Sequence, residues 1–134
     1  MTDWSAASAP SLDEFAALAE AALKTLPRRF RAMVGDVEMR VADFAEDEVL
    51  DDLGLQDAFE LTGLYQGMDL SRRSVFDVQP GPSRVYLYRR PILDEWCERG
   101  DVTLVELISH VLVHEIGHHF GLSDADIDTI EDGA

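Results

Sequence analysis

Apolar and polar residues recur along this chain with two different periods, and the switches between them divide it into elements. From Ser11 to Leu26 the positions Leu12, Phe15, Leu18, Ala19, Ala22 and Leu23 fall at helical spacing. Ser11 stands where a helix cap belongs, Glu14 three residues on completes a capping-box pattern, and Pro27 closes the segment. Val37–Ala42 changes to a period of two, with Val37, Met39 and Val41 set against Glu38, Arg40 and Ala42, which predicts a strand. The acidic stretch Glu46–Asp57 carries Gly54 and reads as a loop or a short helical turn. Glu60–Met68 holds Leu61, Leu64 and Tyr65 between Gly63 and Gly67, and contains a second, shorter strand. Asp69–Ser83, with Pro80, Gly81 and Pro82, reads as a surface loop. Arg84–Ile92 alternates Val85, Leu87 and Arg89 against Tyr86, Tyr88 and Arg90, a strand ended by Pro91. Leu93–Arg99 follows as a short helix stopped by Gly100.

Asp101–Phe120 carries the strongest helical pattern. Asp101 or Thr103 can cap it, and Thr103 with Glu106 forms a second capping-box pattern. Val105, Ile108, Leu112 and Ile116 make an apolar stripe facing a core, widened by Leu104, Leu107 and Val111. Gly121 occupies the place where helices end in a left-handed residue, and Asp124–Glu131 forms a last short helix capped by Ser123. The order helix, strand, strand, strand, helix, helix predicts an α+β domain with a small mixed or antiparallel sheet packed on a helix.

Bulk properties narrow the function classes. A chain of 134 residues supports one core, here assigned to residues 11–134, with the small, polar Met1–Pro10 as a flexible tail. Hydrophobic content of 46% with 28% charged residues is that of a soluble globular protein. No run approaches the roughly 18 apolar residues of a membrane span, and no basic-then-apolar leader opens the sequence. With a lone Cys97, these features place the protein in a reducing cytoplasm, and Cys97 reads as a passive thiol. A net charge of −16 lacks the positive patch that phosphate binding needs, which excludes nucleic acid; the acid excess reads as solvated faces.

The chemistry is concentrated in His114-Glu115-Ile116-Gly117-His118-His119-Phe120-Gly121-Leu122-Ser123-Asp124. This is H-E-x-x-H followed by x-x-G-x-x-D. Residues four apart share a helix face, so His114 and His118 can grip one zinc ion. Glu115 projects about 100° away, which suits proton transfer from a zinc-activated water better than ligation. Asp124 completes a set of two histidines and one carboxylate, with Asp126 and Asp128 as rivals for that place. His110 and His114 form a competing pair four apart, but only His114/His118 encloses the glutamate and leads into the glycine turn. His110 is therefore assigned to support or packing, and His119 to a structural role off the ligand face. Tyr65, Tyr86 and Tyr88 are candidates to stabilise an oxyanion or simply to pack, and the Arg84–Ile92 strand is a candidate for pairing with an extended peptide.

This motif resembles that of the zincin metallopeptidases in their extended metzincin-like form with an Asp third ligand. Together with Gly63-Leu64-Tyr65-Gln66-Gly67 and Val85-Tyr86-Leu87-Tyr88-Arg89-Arg90-Pro91-Ile92, it is similar to the small bacterial predicted zinc metallopeptidases of minimal zincin-like fold, over residues 11–132. The resemblance implies a short sheet stacked on the active-site helix, His114, His118 and Asp124 as zinc ligands, and Glu115 as catalytic base. Metzincins carry a methionine turn beneath the metal; here no Met follows Met68, so the base of the site must be built otherwise. The expected activity is hydrolysis of short or unfolded peptides. The alternative is a zincin-like peptide-binding or chaperone-like module without turnover.

Overall fold

The computed structural model describes residues 4–34, 37–66 and 83–132; the surface loop expected over Asp69–Ser83 lies outside them except for Ser83. The first helix, α1 (Leu12–Lys24), starts as its sequence dictates. The Ser11 Oγ accepts from the Glu14 N–H, and the Ser11 N–H donates to the Glu14 carboxylate at 2.9 Å. Pro27 stands just beyond the end of α1, as expected. Its carbonyl accepts from the N–H groups of Phe30 and Arg31, which launches a second helix, α2 (Arg28–Val34), that the pattern did not predict.

Strand β1 (Val37–Ala42) lies where the alternation placed it. The acidic stretch forms a helix, α3 (Asp47–Leu53), and a 3-10 turn at Ala58–Glu60 precedes β2 (Gly63–Gln66). Strand β3 covers Ser83–Tyr88 only, and α4 runs from Arg89 to Arg99. Pro91, expected to end the strand, instead sits in the first turn of α4, where its missing N–H would have found no helical partner. Helices α5 (Leu104–His119) and α6 (Asp124–Asp132) complete the chain.

The described residues thus form six helices and a three-stranded mixed sheet of order β1-β3-β2, an α+β fold consistent with a minimal zincin-like domain. β3 runs parallel to β1 and antiparallel to β2. On one sheet face Tyr65, Val85 and Leu87 meet Phe15, Ala19 and Ala22 of α1, Phe30 of α2 and the apolar stripe of α5. Each fully buried Phe, Leu or Ile there contributes about 1.5–3 kcal/mol. The opposite face carries a smaller cluster around Ala45, Leu50 and Tyr88, and an ion-paired patch in which Glu38 holds Arg40 at 2.7 Å and Arg84 at 3.2 Å. Val105 departs from the expected core stripe, being 42% exposed. None of the helices among the described residues is long and apolar enough to cross a membrane.

Candidate metal centre

Helix α5 is positioned by burial at its start and by backbone geometry at its end. The Thr103 Oγ accepts from the Glu106 N–H, while the Thr103 hydroxyl donates to the Glu106 carboxylate. Leu107, Ile108, Leu112 and Ile116 are then buried to 2% exposure or less, which fixes the rotation of the helix. At the other end the Leu122 N–H bonds the Gly117 carbonyl and the Gly121 N–H bonds that of His118. That is a Schellman closure, and Gly121 supplies the positive φ of 83° it requires. Two residues later Ser123 and Asp126 cap α6 reciprocally, Oγ to N–H at 3.1 Å and N–H to carboxylate at 3.2 Å. The chain therefore reverses in four residues, and Asp124 becomes the first residue of α6.

A contact the sequence reading missed sets how close α6 lies. A β-carbon on Gly117 would stand 2.6 Å from Ile127 Cδ1, 2.7 Å from Ile127 Cγ1 and 3.4 Å from the Phe30 ring. Ile127, fully buried, thus occupies the notch left by a side-chain-free position of α5. Asp124 is three residues before Ile127 and shares its helix face, so the plug turns the carboxylate toward α5. Under this turn Ile127 packs at Gly117, in the same core as Phe30. The signal available was the glycine inside H-E-x-x-H, a helix-weakening residue with no local reason to be there.

The result is a convergence of electron-pair donors. His118 Nε2 lies 2.7 Å and His114 Nδ1 3.4 Å from the same Asp124 Oδ1. One donor atom from each of His114, His118 and Asp124 lies within 4.8 Å of the other two, the one such group among the described residues. Asp126 is occupied in capping α6 and Asp128 stands outside the group. The hydrogen bond from His118 holds the Asp124 carboxyl below its usual range, with the charges of His118 and His114 adding to it. His110 packs its ring 4.1 Å from that of His114. His119 turns away, against Tyr65 at 4.3 Å and Phe120 at 5.2 Å.

Glu115 faces the sheet side of the same helix. Burial pushes its carboxyl pKa up, opposed by the charge of His118 and a hydrogen bond from the Tyr65 backbone N–H. The strand explains that bond. Tyr88 N–H bonds Thr62 carbonyl, so the hydrogen-bonded pairs of β2 and β3 alternate from there and leave the polar backbone groups of Gly63 and Tyr65 pointing outward. Gly63 lets β2 come this close, because a β-carbon there would stand 2.9 Å from Val111 Cγ1 and 3.3 Å from Glu115 Cγ. The Arg84–Ile92 segment expected to offer a peptide-binding edge cannot do so, since β3 is the central strand, bonded on both sides; the edge beside α5 belongs to β2. The candidate tyrosines are engaged in packing. Tyr65 is buried against His119 and Phe120, and Tyr88, stacked near Tyr86, has its phenol pushed up to about 12, chiefly by burial.

The family profile of the zincin-like metallopeptidases matches residues 34–134. The chain belongs to this family. No curated protein matches it. The match begins at the end of α2, so α1 lies outside it, although in this zincin-like metallopeptidase α1 supplies Phe15, Ala19 and Ala22 to the core against α5. The donor chemistry fits the metal for which such enzymes are named. Two imidazoles and one carboxylate converging on one point are a donor set that zinc accepts, and three protein ligands would leave a position for water or substrate where structural zinc sites are closed by four.

Proposed function

We propose that this zincin-like metallopeptidase hydrolyses peptide bonds with zinc held by His114, His118 and Asp124 and with Glu115 as general base. The observation that carries the reading is the convergence of those three donors within 4.8 Å on the helix that also presents Glu115. Zinc held by these three residues would supply a Lewis acid for the scissile carbonyl and would lower the pKa of a bound water to about 7. Glu115 takes the proton of the attacking water and delivers it to the leaving amine nitrogen. The Tyr65 N–H fixes the carboxylate for this shuttle, and burial, by raising its pKa, eases the recapture of a proton.

The substrate class follows from exposure. The side chains of His118 and Asp124 are 51% and 76% exposed, so the donors sit on an open ledge and not at the bottom of a cleft. An open ledge suits an extended, unfolded or short peptide, whose backbone can align with the outer edge of β2. Glu115→Gln, zinc-loaded, should retain one metal per chain and lose peptide hydrolysis by at least about a hundredfold. Equal turnover by Glu115→Gln and the wild type would overturn the assignment. Zinc-loaded wild type that binds peptides without cleaving any would instead make the chain a peptide-binding module.

A further inference from the structure

A cavity of about 430 Å³ opens between the α1–α2 turn, the end of α4 and the first half of α5. Leu26, Pro27, Val102, Val105 and Val113 supply apolar surface to it, with Ser109 between them. Its size falls in the range of about 300–1,000 Å³ typical of ligand sites. It lies next to the centre described above, since Arg99 and His110 line both this cavity and the smaller hollow that reaches His114 and Glu115.

Val105 shows that the cavity is an interruption of the core. Seven residues make 20° less than two full turns, so Val105 and Leu112 point the same way from α5. Leu112 is fully buried while Val105 is 42% exposed. The apolar stripe thus runs on past the core and faces open space. Three of the polar side chains around that space are already engaged inside the protein. The Thr25 hydroxyl donates to the Ala22 carbonyl, the Glu106 carboxylate accepts from Thr103, and Arg99 Nε pairs with Glu95 at 2.9 Å. What the cavity offers an occupant is aliphatic surface.

We propose that this cavity is a substrate pocket that takes a bulky apolar side chain, aromatic or long aliphatic, of the peptide being hydrolysed. Ser109 lies five residues before His114, about 7.5 Å along the helix axis and about 140° round it. An extended peptide advances about 3.3 Å per residue, so the side chain belongs to a residue several positions from the scissile bond. Arg99, paired with Glu95, lines both hollows and so borders the way from one to the other. The assignment rests on the peptidase reading, since it is the peptide at the metal that delivers the side chain.

The test compares two peptides identical except for Phe or Ala at the varied position, titrated into zinc-loaded Glu115→Gln protein while the methyl NMR signals of Val102, Val105 and Val113 are followed. The Phe peptide should shift those methyls and bind about tenfold or more tighter than the Ala peptide. Filling the space with Ser109→Phe, or charging its wall with Val105→Asp, should abolish that difference and leave binding of the Ala peptide unchanged. Two variants at exposed or half-exposed positions guard against one that fails to fold. Equal binding of both peptides, or a difference that survives both variants, would overturn the pocket. So would methyl shifts produced by indole alone and not by the Phe peptide, which would make the cavity a small-molecule site. Because binding is read without turnover, a wild-type enzyme that binds the Phe peptide in this way but cleaves nothing would remove the peptidase reading and leave the pocket standing.

Discussion

Two polar clusters on this molecule share the same closest approach and differ in kind. On the outer sheet face Arg40 and Glu38 meet at 2.7 Å; at the end of α5 His118 and Asp124 also meet at 2.7 Å. Both are exposed. Glu38 gives each of its oxygens to a different cation, Arg40 and Arg84, so each oxygen meets one opposite charge. Asp124 turns a single oxygen toward two imidazoles, gathering lone-pair donors around one point. The supports differ as well. The Glu38 cluster sits on neighbouring strands and needs nothing beyond their register, whereas the Asp124 cluster depends on a helix closure, a helix cap and a plugged glycine notch. A satisfied ion pair requires opposite charges; a ligand set requires like donors held together at a structural cost met elsewhere.

The largest effect should come from taking a donor away. His118→Ala should reduce bound zinc from one per chain to essentially none after gel filtration, read by metal analysis, and Asp124→Ala should weaken retention in a chelator competition. Glu38→Ala should leave metal content untouched. Retention of full zinc by His118→Ala would break the comparison at its centre. Next comes the notch. Ile127→Ala should destabilise the fold by about 2–5 kcal/mol and loosen zinc by about tenfold, the lower end of what loss of a ligand's support brings, with Ile127→Val close to wild type. Gly117→Ala, which forces a methyl against Ile127, should behave similarly, and adding Ile127→Val should recover part of the loss. Unchanged zinc affinity in all three would show that Asp124 is placed without the plug.

Which parts of this were visible beforehand follows from how local each signal is. The cap of α1, the alternation of β1 and the glycine ending α5 are set by residues a few positions apart, and the structure has them where the pattern put them. Of the two prolines read as stops, Pro27 does follow the end of α1 but also starts another helix, while Pro91 misled. Pro27 offers its carbonyl to start α2, and Pro91 fits the first turn of α4. Within the site, the His114/His118 pair is legible because helical geometry alone brings it to one face, and Asp124 because a glycine turn follows at short range. The Ile127–Gly117–Phe30 contact is not, since it joins three elements. The Tyr65 N–H on Glu115 leaves no mark either, because a backbone group is the same at every position.

Smaller effects sharpen the other side of the comparison. Glu38→Ala should change stability by about 1 kcal/mol or less, because exposed pairs are screened by water and salt; chemical denaturation checks it. Smallest is the exposed Glu14, whose carboxyl is held below its usual range first by the Ser11 backbone N–H and then by the Ser11 hydroxyl. A depressed folded pKa means that this stabilisation is fully present above the ordinary glutamate value and is lost as pH falls through the folded one. An NMR titration of the Glu14 carboxyl carbon should therefore show a midpoint below that of a free glutamate. A midpoint at or above the free value would mean the box does not persist in solution.

The four-residue reversal between α5 and α6 has a consequence for the order of assembly. His114 and His118 are four residues apart and Asp124 follows six later, so a cation gripping all three closes only very short loops, with little chain entropy to lose. Such an ion acts as a clasp on the last two helices and leaves the sheet and α1 indifferent to it. Stripping the metal should therefore speed amide exchange along α6 and the final turn of α5 while the rest of the molecule exchanges as before. The protein would then be made in two stages, a framework that folds without its ion and a C-terminal helix locked down only on loading.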